Sequence, residues 1–182
     1  PPAWFVTDPA RTKDPAAIAR RLPPSFGVIF RHFGAPDRES VAQALAGICA
    51  RRQLAFLIAA DPELAAKAGA DGVHWPFWLR TEARRWRTRF PLQTLSAHSA
   101  QELRSARGLP VDAILLSTAF ASRSATAGSA LGSLRFRTLA AEASVPVYAL
   151  GGINPENAGR VADVAGLAAV EGMAVFGQEI RT

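Results

Sequence analysis

Cysteine is almost absent from this chain: Cys49 is the single one in 182 residues. That excludes an internal disulfide framework and a zinc site built from several thiolates. Cys49 sits in an apolar helical pattern, which reads as a buried structural thiol. No apolar run is long enough to span a membrane, and no signal-peptide pattern is visible. The expectation is a cytoplasmic protein with no membrane partner. Linkers and shifts of composition are also missing, so residues 1–182 read as one domain. A chain that is 49% hydrophobic and 20% charged can bury a sizeable core. The formal charge is +6, nearly all of it arginine. The densest patch is residues 80–89, where Arg84, Arg85, Arg87 and Arg89 surround Trp86. No recognised nucleic-acid motif accompanies the charge, so the patch reads as a solvated helix face and nucleic acid is not an expected partner.

What is present is more telling. Tyr148-Ala149-Leu150-Gly151-Gly152-Ile153-Asn154-Pro155-Glu156-Asn157 reads as the end of a buried strand, a two-glycine turn and a helix start. Glycines let the backbone turn sharply and approach a ligand. Asn154 is a good N-cap and Pro155 fits the first helical position. Exposed N–H groups at such a turn favour an anion, most often phosphate. A plain strand-to-helix connection is the alternative.

Short apolar runs alternate with amphipathic segments along the whole chain. Strands are expected at residues 3–7, 27–31, 54–58, 72–74, 92–96, 111–117, 146–150 and 167–170. Helices are expected at 15–22, 38–52, 62–68, 79–89, 99–106, 134–142, 157–164 and 173–180. Regular strand–helix alternation implies a parallel sheet covered by helices. Eight units imply closure, so the fold class is α/β, a small single-domain TIM (β/α)8 barrel. The helices, several near two turns, suit a chain shorter than the usual barrel.

Five segments, in order, resemble the thiamine phosphate synthase family and its thiazole tautomerase relatives. They are Trp4-Phe5-Val6-Thr7-Asp8, Ala68-Gly69-Ala70-Asp71-Gly72-Val73-His74, Leu95-Ser96-Ala97-His98-Ser99, residues 113–120, and Ala149-Leu150-Gly151-Gly152-Ile153 with Pro155-Glu156-Asn157. The resemblance implies a TIM barrel. It also implies a reaction of thiamine biosynthesis that couples hydroxymethylpyrimidine pyrophosphate with thiazole phosphate. Pyrophosphate leaves, magnesium holds it, and the thiazole nitrogen captures the cationic methylene. The implied partner is therefore a phosphorylated small molecule.

Carried over residue by residue, the resemblance marks Arg31, Ser96 and His98 as candidate catalytic residues. Ser122, Arg123, Ser124, Gly151 and Gly152 are the candidate phosphate-binding residues. Ile29 and Phe33 replace a glutamine and a lysine that grip pyrophosphate, while Arg31 is kept. Ala59 and Ala60 stand where the family has Asn-Asp, and Phe77 and Leu79 replace a glutamine and a second metal-binding Asp. Magnesium wants carboxylate oxygens, and this region offers only Asp61 as a metal candidate. Thr118 occupies the place of the tautomerase histidine. His98 and His74 are each read either as acid/base groups or as hydrogen-bonded structural residues. His32 should point the other way from Arg31, into solvent or the helix layer. Trp75, Phe77 and Trp78 are expected near the mouth, where they could stack on a flat heterocycle. The alternative is an apolar cover or a contact between copies in a homo-oligomer. The losses fall on the pyrophosphate and magnesium end. Two readings follow: a synthase with a degenerate site, or a non-catalytic or differently catalytic binder of a phosphorylated thiazole or thiamine compound.

Overall fold

The structure is a computed structural model and describes residues 1–122 and 127–173. Eight parallel strands close in sequence order into a barrel. They are β1 (Ala3–Val6), β2 (Gly27–Phe30), β3 (Ala55–Ala59), β4 (Gly72–Trp75), β5 (Leu92–Ala97), β6 (Ala113–Ser117), β7 (Val147–Leu150) and β8 (Gly166–Ala169), and β8 pairs back onto β1. The helices between them are α1 (Pro15–Ala19), α2 (Arg38–Arg52), α3 (Pro62–Ala68), α4 (Glu82–Trp86), α5 (Ala100–Ser105), α6 (Gly132–Glu142) and α7 (Pro155–Ala158). A 3-10 turn, Phe77–Leu79, precedes α4.

The expected barrel and its strand order are as observed. Helix boundaries differ more. The single helix expected over residues 79–89 is split into the 3-10 turn and α4. The helix expected over 157–164 starts at Pro155, the first helical position that the Asn154 cap implies, and is four residues long. Asn154 and Asn157 explain the early start, because each side chain bonds the other's backbone N–H at 3.0 Å. The helix expected over 173–180 lies outside the described residues, apart from Met173.

Side chains alternate across each strand, and the buried residues divide accordingly. Trp4, Val6, Ile29, Leu57, Ala59, Leu115, Tyr148 and Ala168 fill the barrel interior. Phe5, Phe30, Phe56, Ile58, Trp75, Leu95 and Leu116 pack outward against the helices. Cys49 is in this outer layer; burial, aided by the charge of Asp71, pushes its thiol up to about 12.

Two acids set the strand register in the same way. The Asp71 carboxylate accepts the Phe56 N–H at 2.7 Å, and the Asp71 N–H donates to the Phe56 carbonyl at 2.9 Å. Asp112 makes both bonds with Gln93, each at 2.7 Å, and also binds Arg87 through two oxygens. Asp71 and Asp112 thus tie β4 to β3 and β6 to β5 just before the ladders begin. The rest of the arginine patch is also engaged locally. Arg85 pairs with Glu82 at 3.7 Å, and the Arg80 guanidinium lies over the Phe77 ring.

Asp71→Ala should destabilise the protein by about 1–2 kcal/mol, the cost of leaving the buried Phe56 amide without its carboxylate. Thermal unfolding should show a fall in Tm of about 3–8 °C. Asp71→Asn, which keeps an acceptor oxygen, should lose less than half of that.

Candidate functional site

A cavity of about 810 Å³ opens at the carboxyl ends of the strands. This is the end of a parallel barrel where ligands bind, because the strand termini and following loops converge there. Val6, Ala59, Leu150 and Val170 contribute apolar wall. Above them sit polar groups from nearly every unit.

Thr7 and Asp8, at the end of β1, organise the first two units. The Thr7 hydroxyl accepts the Arg31 N–H at 3.0 Å, which anchors the backbone from which the Arg31 side chain enters the cavity. Asp8 accepts from Arg11 at 3.0 and 3.3 Å and from the Ala10 N–H at 3.0 Å. Burial would raise the Asp8 carboxyl, but these bonds outweigh it and leave it below the ordinary carboxylate range. Arg11 also lines the cavity. It stands apart from every expected motif; only its place three residues after the Thr-Asp pair could have marked it. His32 turns away from Arg31, as expected, and is buried with its ring 4.7 Å from that of Phe30.

His74 faces inward from β4. Its Nδ1 is 2.8 Å from the Thr94 hydroxyl and its Nε2 is 2.8 Å from the Ser96 hydroxyl. Burial, with Arg31 and His98 nearby, lowers it to about 3. His74 is therefore neutral near pH 7 and serves as the brace that orients Ser96 toward the cavity. His98 follows β5 and also lines the cavity. It is half-exposed, and its Nδ1 and backbone N–H both meet the Glu102 carboxylate, at 3.1 and 2.7 Å.

Asp61 is placed differently. Its Oδ1 accepts the Leu64 N–H at 2.9 Å and caps α3, while its Oδ2 pairs with Arg38. It is not among the cavity walls. Its carboxylate is held by a helix start and a guanidinium, which explains why a residue beside the expected metal position turns away. No group of three metal-ligating side chains occurs among the described residues. Trp75 also departs from expectation. It points into the helix layer, where its indole N–H donates to Gln93 at 2.6 Å. Strand parity explains this, since Trp75 follows the inward His74. Phe77 and Trp78 do line the cavity, and Phe33 joins them.

At the other side, Ser117, Thr118, Ser122, Gly151, Gly152 and Asn154 line the wall. Both glycines have positive φ, 95° and 66°. The Phe120 N–H donates to the Gly151 carbonyl at 3.0 Å, so the glycine turn and the loop after β6 form one unit. Arg123 and Ser124 lie outside the described residues.

A family model for thiamine monophosphate synthase matches residues 4–177. The chain belongs to that family. It is 34% identical over 132 residues to a thiamine biosynthesis bifunctional protein of Geobacter sulfurreducens, a stretch covering 70% of this chain and 27% of that protein. It is 30% identical over 134 residues to a thiamine-phosphate synthase of Prochlorococcus marinus, covering 71% and 38%. A third relative, the thiamine-phosphate synthase of Thioalkalivibrio sulfidiphilus, is 32% identical over 133 residues, covering 69% and 61%. In each case the match spans less than two thirds of the relative's length. A thiamine phosphate pyrophosphorylase from Pyrococcus furiosus shares the fold, with a TM-score of 0.79 over 98% of this chain and 93% of that one, at 20% identity. No helix among the described residues is long and apolar enough to cross a membrane.

The buried state of His74 has a consequence for stability. Its ordinary value is 6.5, retained when unfolded, and about 3 when folded. Between these limits the unfolded chain takes up a proton that the folded chain refuses. Stability is therefore complete above pH 6.5 and is lost on acidification, by up to about 1.4 kcal/mol per pH unit from this group. Urea unfolding at pH 7, 6 and 5 should show this slope, and His74→Gln should flatten it. Equal slopes in both proteins would show that His74 is not held neutral.

Proposed function

We propose that this chain binds a phosphorylated thiazole or thiamine compound at the barrel mouth, its phosphate held between the β7–α7 turn and the loop after β6. One observation carries this reading: Thr118, Ser122, Gly151 and Gly152 converge on one wall of a cavity in a member of the thiamine monophosphate synthase family. Hydroxyls and backbone N–H groups at a glycine turn suit a phosphate monoester. A cytoplasmic location, and no nucleic-acid partner, go with a small-molecule role of this kind.

The coupling reaction is the second reading, and Arg31 favours it. Arg31 lines the cavity. The remaining pyrophosphate and magnesium positions do not fit. Ile29 is fully buried in the barrel interior, and Phe33, Ala59 and Phe77 give the cavity apolar wall. Asp61 is taken up by Arg38 and the Leu64 N–H. Magnesium takes hard oxygen ligands, and the described residues over β2, β3 and β4 supply none to the cavity from a carboxylate. Each oriented anion donor that is lost commonly lowers rate by about 10²–10³.

Purified protein incubated with both family substrates and magnesium should give no thiamine phosphate above background. Turnover would restore the synthase reading. Calorimetry should detect binding of thiazole phosphate. Ser122→Ala should weaken that binding by about 3–10-fold, the worth of one neutral hydrogen bond. No binding at millimolar concentration would overturn the proposal.

A further inference from the structure

We infer that the wall over β2 and β4 is a stacking site for a flat, unphosphorylated heterocycle, so that the cavity selects a heteroaromatic monophosphate and rejects a diphosphate. This rests on the phosphate reading above for the opposite wall. It goes beyond that reading by assigning what fills the remaining space.

The first argument is exposure. Among the described residues, four large apolar side chains are exposed, and two of them, Phe33 at 49% and Trp78 at 73%, line this cavity. Large apolar groups left open at a cavity rim mark a surface that becomes covered by ligand. The second argument is that the rim is built. Gln93 is fully buried and all its polar atoms are used. Its Oε1 accepts from Trp75, and its Nε2 donates to the Ala83 and Phe90 carbonyls, both at 3.1 Å. It thus pins β4 to the region around α4, and the Phe77–Leu79 turn is held between them. The Arg80 guanidinium, 4.6 Å from the Phe77 centroid, fixes that ring further. Aromatic rings held in place present a stacking face at little entropic cost.

The third argument is charge. Arg31 is the cation on this wall, and Arg11, the neighbouring one, is already paired with Asp8. Glu102 and Glu171 add carboxylates elsewhere around the cavity. A diphosphate carries about three negative charges and would meet apolar rings where it needs donors. A neutral or cationic heterocycle would meet π-faces that favour it. About 810 Å³ holds both a ring system and a phosphate.

The test uses the whole protein with inorganic phosphate, pyrophosphate, thiamine and thiamine phosphate as probes, read by calorimetry and tryptophan fluorescence. Thiamine phosphate should bind at least about tenfold more tightly than inorganic phosphate, and pyrophosphate no more tightly than phosphate. Trp78→Ala and Phe33→Ala, both at exposed positions, should each weaken thiamine phosphate by about 5–10-fold and leave inorganic phosphate unchanged. Thiamine alone should quench fluorescence, and Trp78→Phe should abolish that quenching. Tenfold tighter binding of pyrophosphate than phosphate overturns the inference, as does unchanged thiamine phosphate affinity in both alanine variants. Trp78-dependent binding of thiamine without any phosphate binding would support the stacking site while removing the phosphate reading. Phosphate binding without any aromatic contribution would do the reverse.

Discussion

Trp4 and Tyr148 meet edge to face inside the barrel, their ring centroids 6.1 Å apart, and each lies against a glycine. A Cβ on Gly27 would fall 2.1 Å from the Trp4 ring, and one on Gly166 would fall 2.4 Å from the Tyr148 ring. The Tyr148 hydroxyl donates to the Pro1 carbonyl at the amino-terminal end. Two large rings therefore plug the lower barrel only because two neighbouring strands have no side chain at that level. Short strands can then close around a solid floor, and the inward positions nearer the carboxyl ends are freed for the site. Those positions carry small or polar residues: Ala59, His74, Ser96 and Ser117. Replacing either glycine would force a ring out of its place in that floor, on which the residues lining the cavity rest.

The two halves of the mouth are built by different means. The half over β6 and β7 is made of backbone, its glycine turn hydrogen-bonded to the loop after β6. The half over β2 and β4 is made of side chains on a braced scaffold, with Gln93 and Arg80 holding the ring-bearing turn. The first kind of wall offers amides and hydroxyls, which suit a compact anion. The second offers faces, which suit a flat group. Arg31 stands beside the second wall, anchored by Thr7, and is the cation a ligand would meet on passing from one to the other.

Periodicity made the barrel legible, because every strand shows the apolar runs that a sheet buried on both faces demands. The family resemblance put Arg31 at the site, and strand parity turned His32 the other way. What could not be read were contacts between residues distant in sequence. The diversion of Asp61 depends on Arg38, which lies 23 residues earlier and reaches it only once α2 and α3 pack. Parity turns Trp75 to the helix layer, but its bond to Gln93 could not be read, since a lone glutamine in a strand gives no signal of that role. Arg11 joined the site because Asp8 folds its loop back, which composition does not reveal. At Asn154 the capping signal and the periodicity gave different helix starts, and the cap decided. The candidate site was thus readable where it is made of local backbone motifs, and unreadable where it is made of side chains meeting across units.

The glycine turn is set by packing as well as by any ligand. Gly151 and Gly152 were informative as a motif because glycine permits close approach to a ligand. In the structure, close approach is already demanded by the protein itself. A Cβ on Gly152 would lie 2.3 Å from the Ala121 carbonyl oxygen and 2.7 Å from that of Phe120, and one on Gly151 would lie 2.8 Å from the Thr118 side chain. Both residues also have φ values that favour glycine. Packing alone would therefore keep these two positions as glycine, whether or not an anion ever binds. A substitution there would disturb the loop after β6 first and the ligand second. Ser122 lines the same wall. The turn shapes the phosphate wall through its fit against the loop after β6, and that fit is a property of the barrel before it is a property of any ligand.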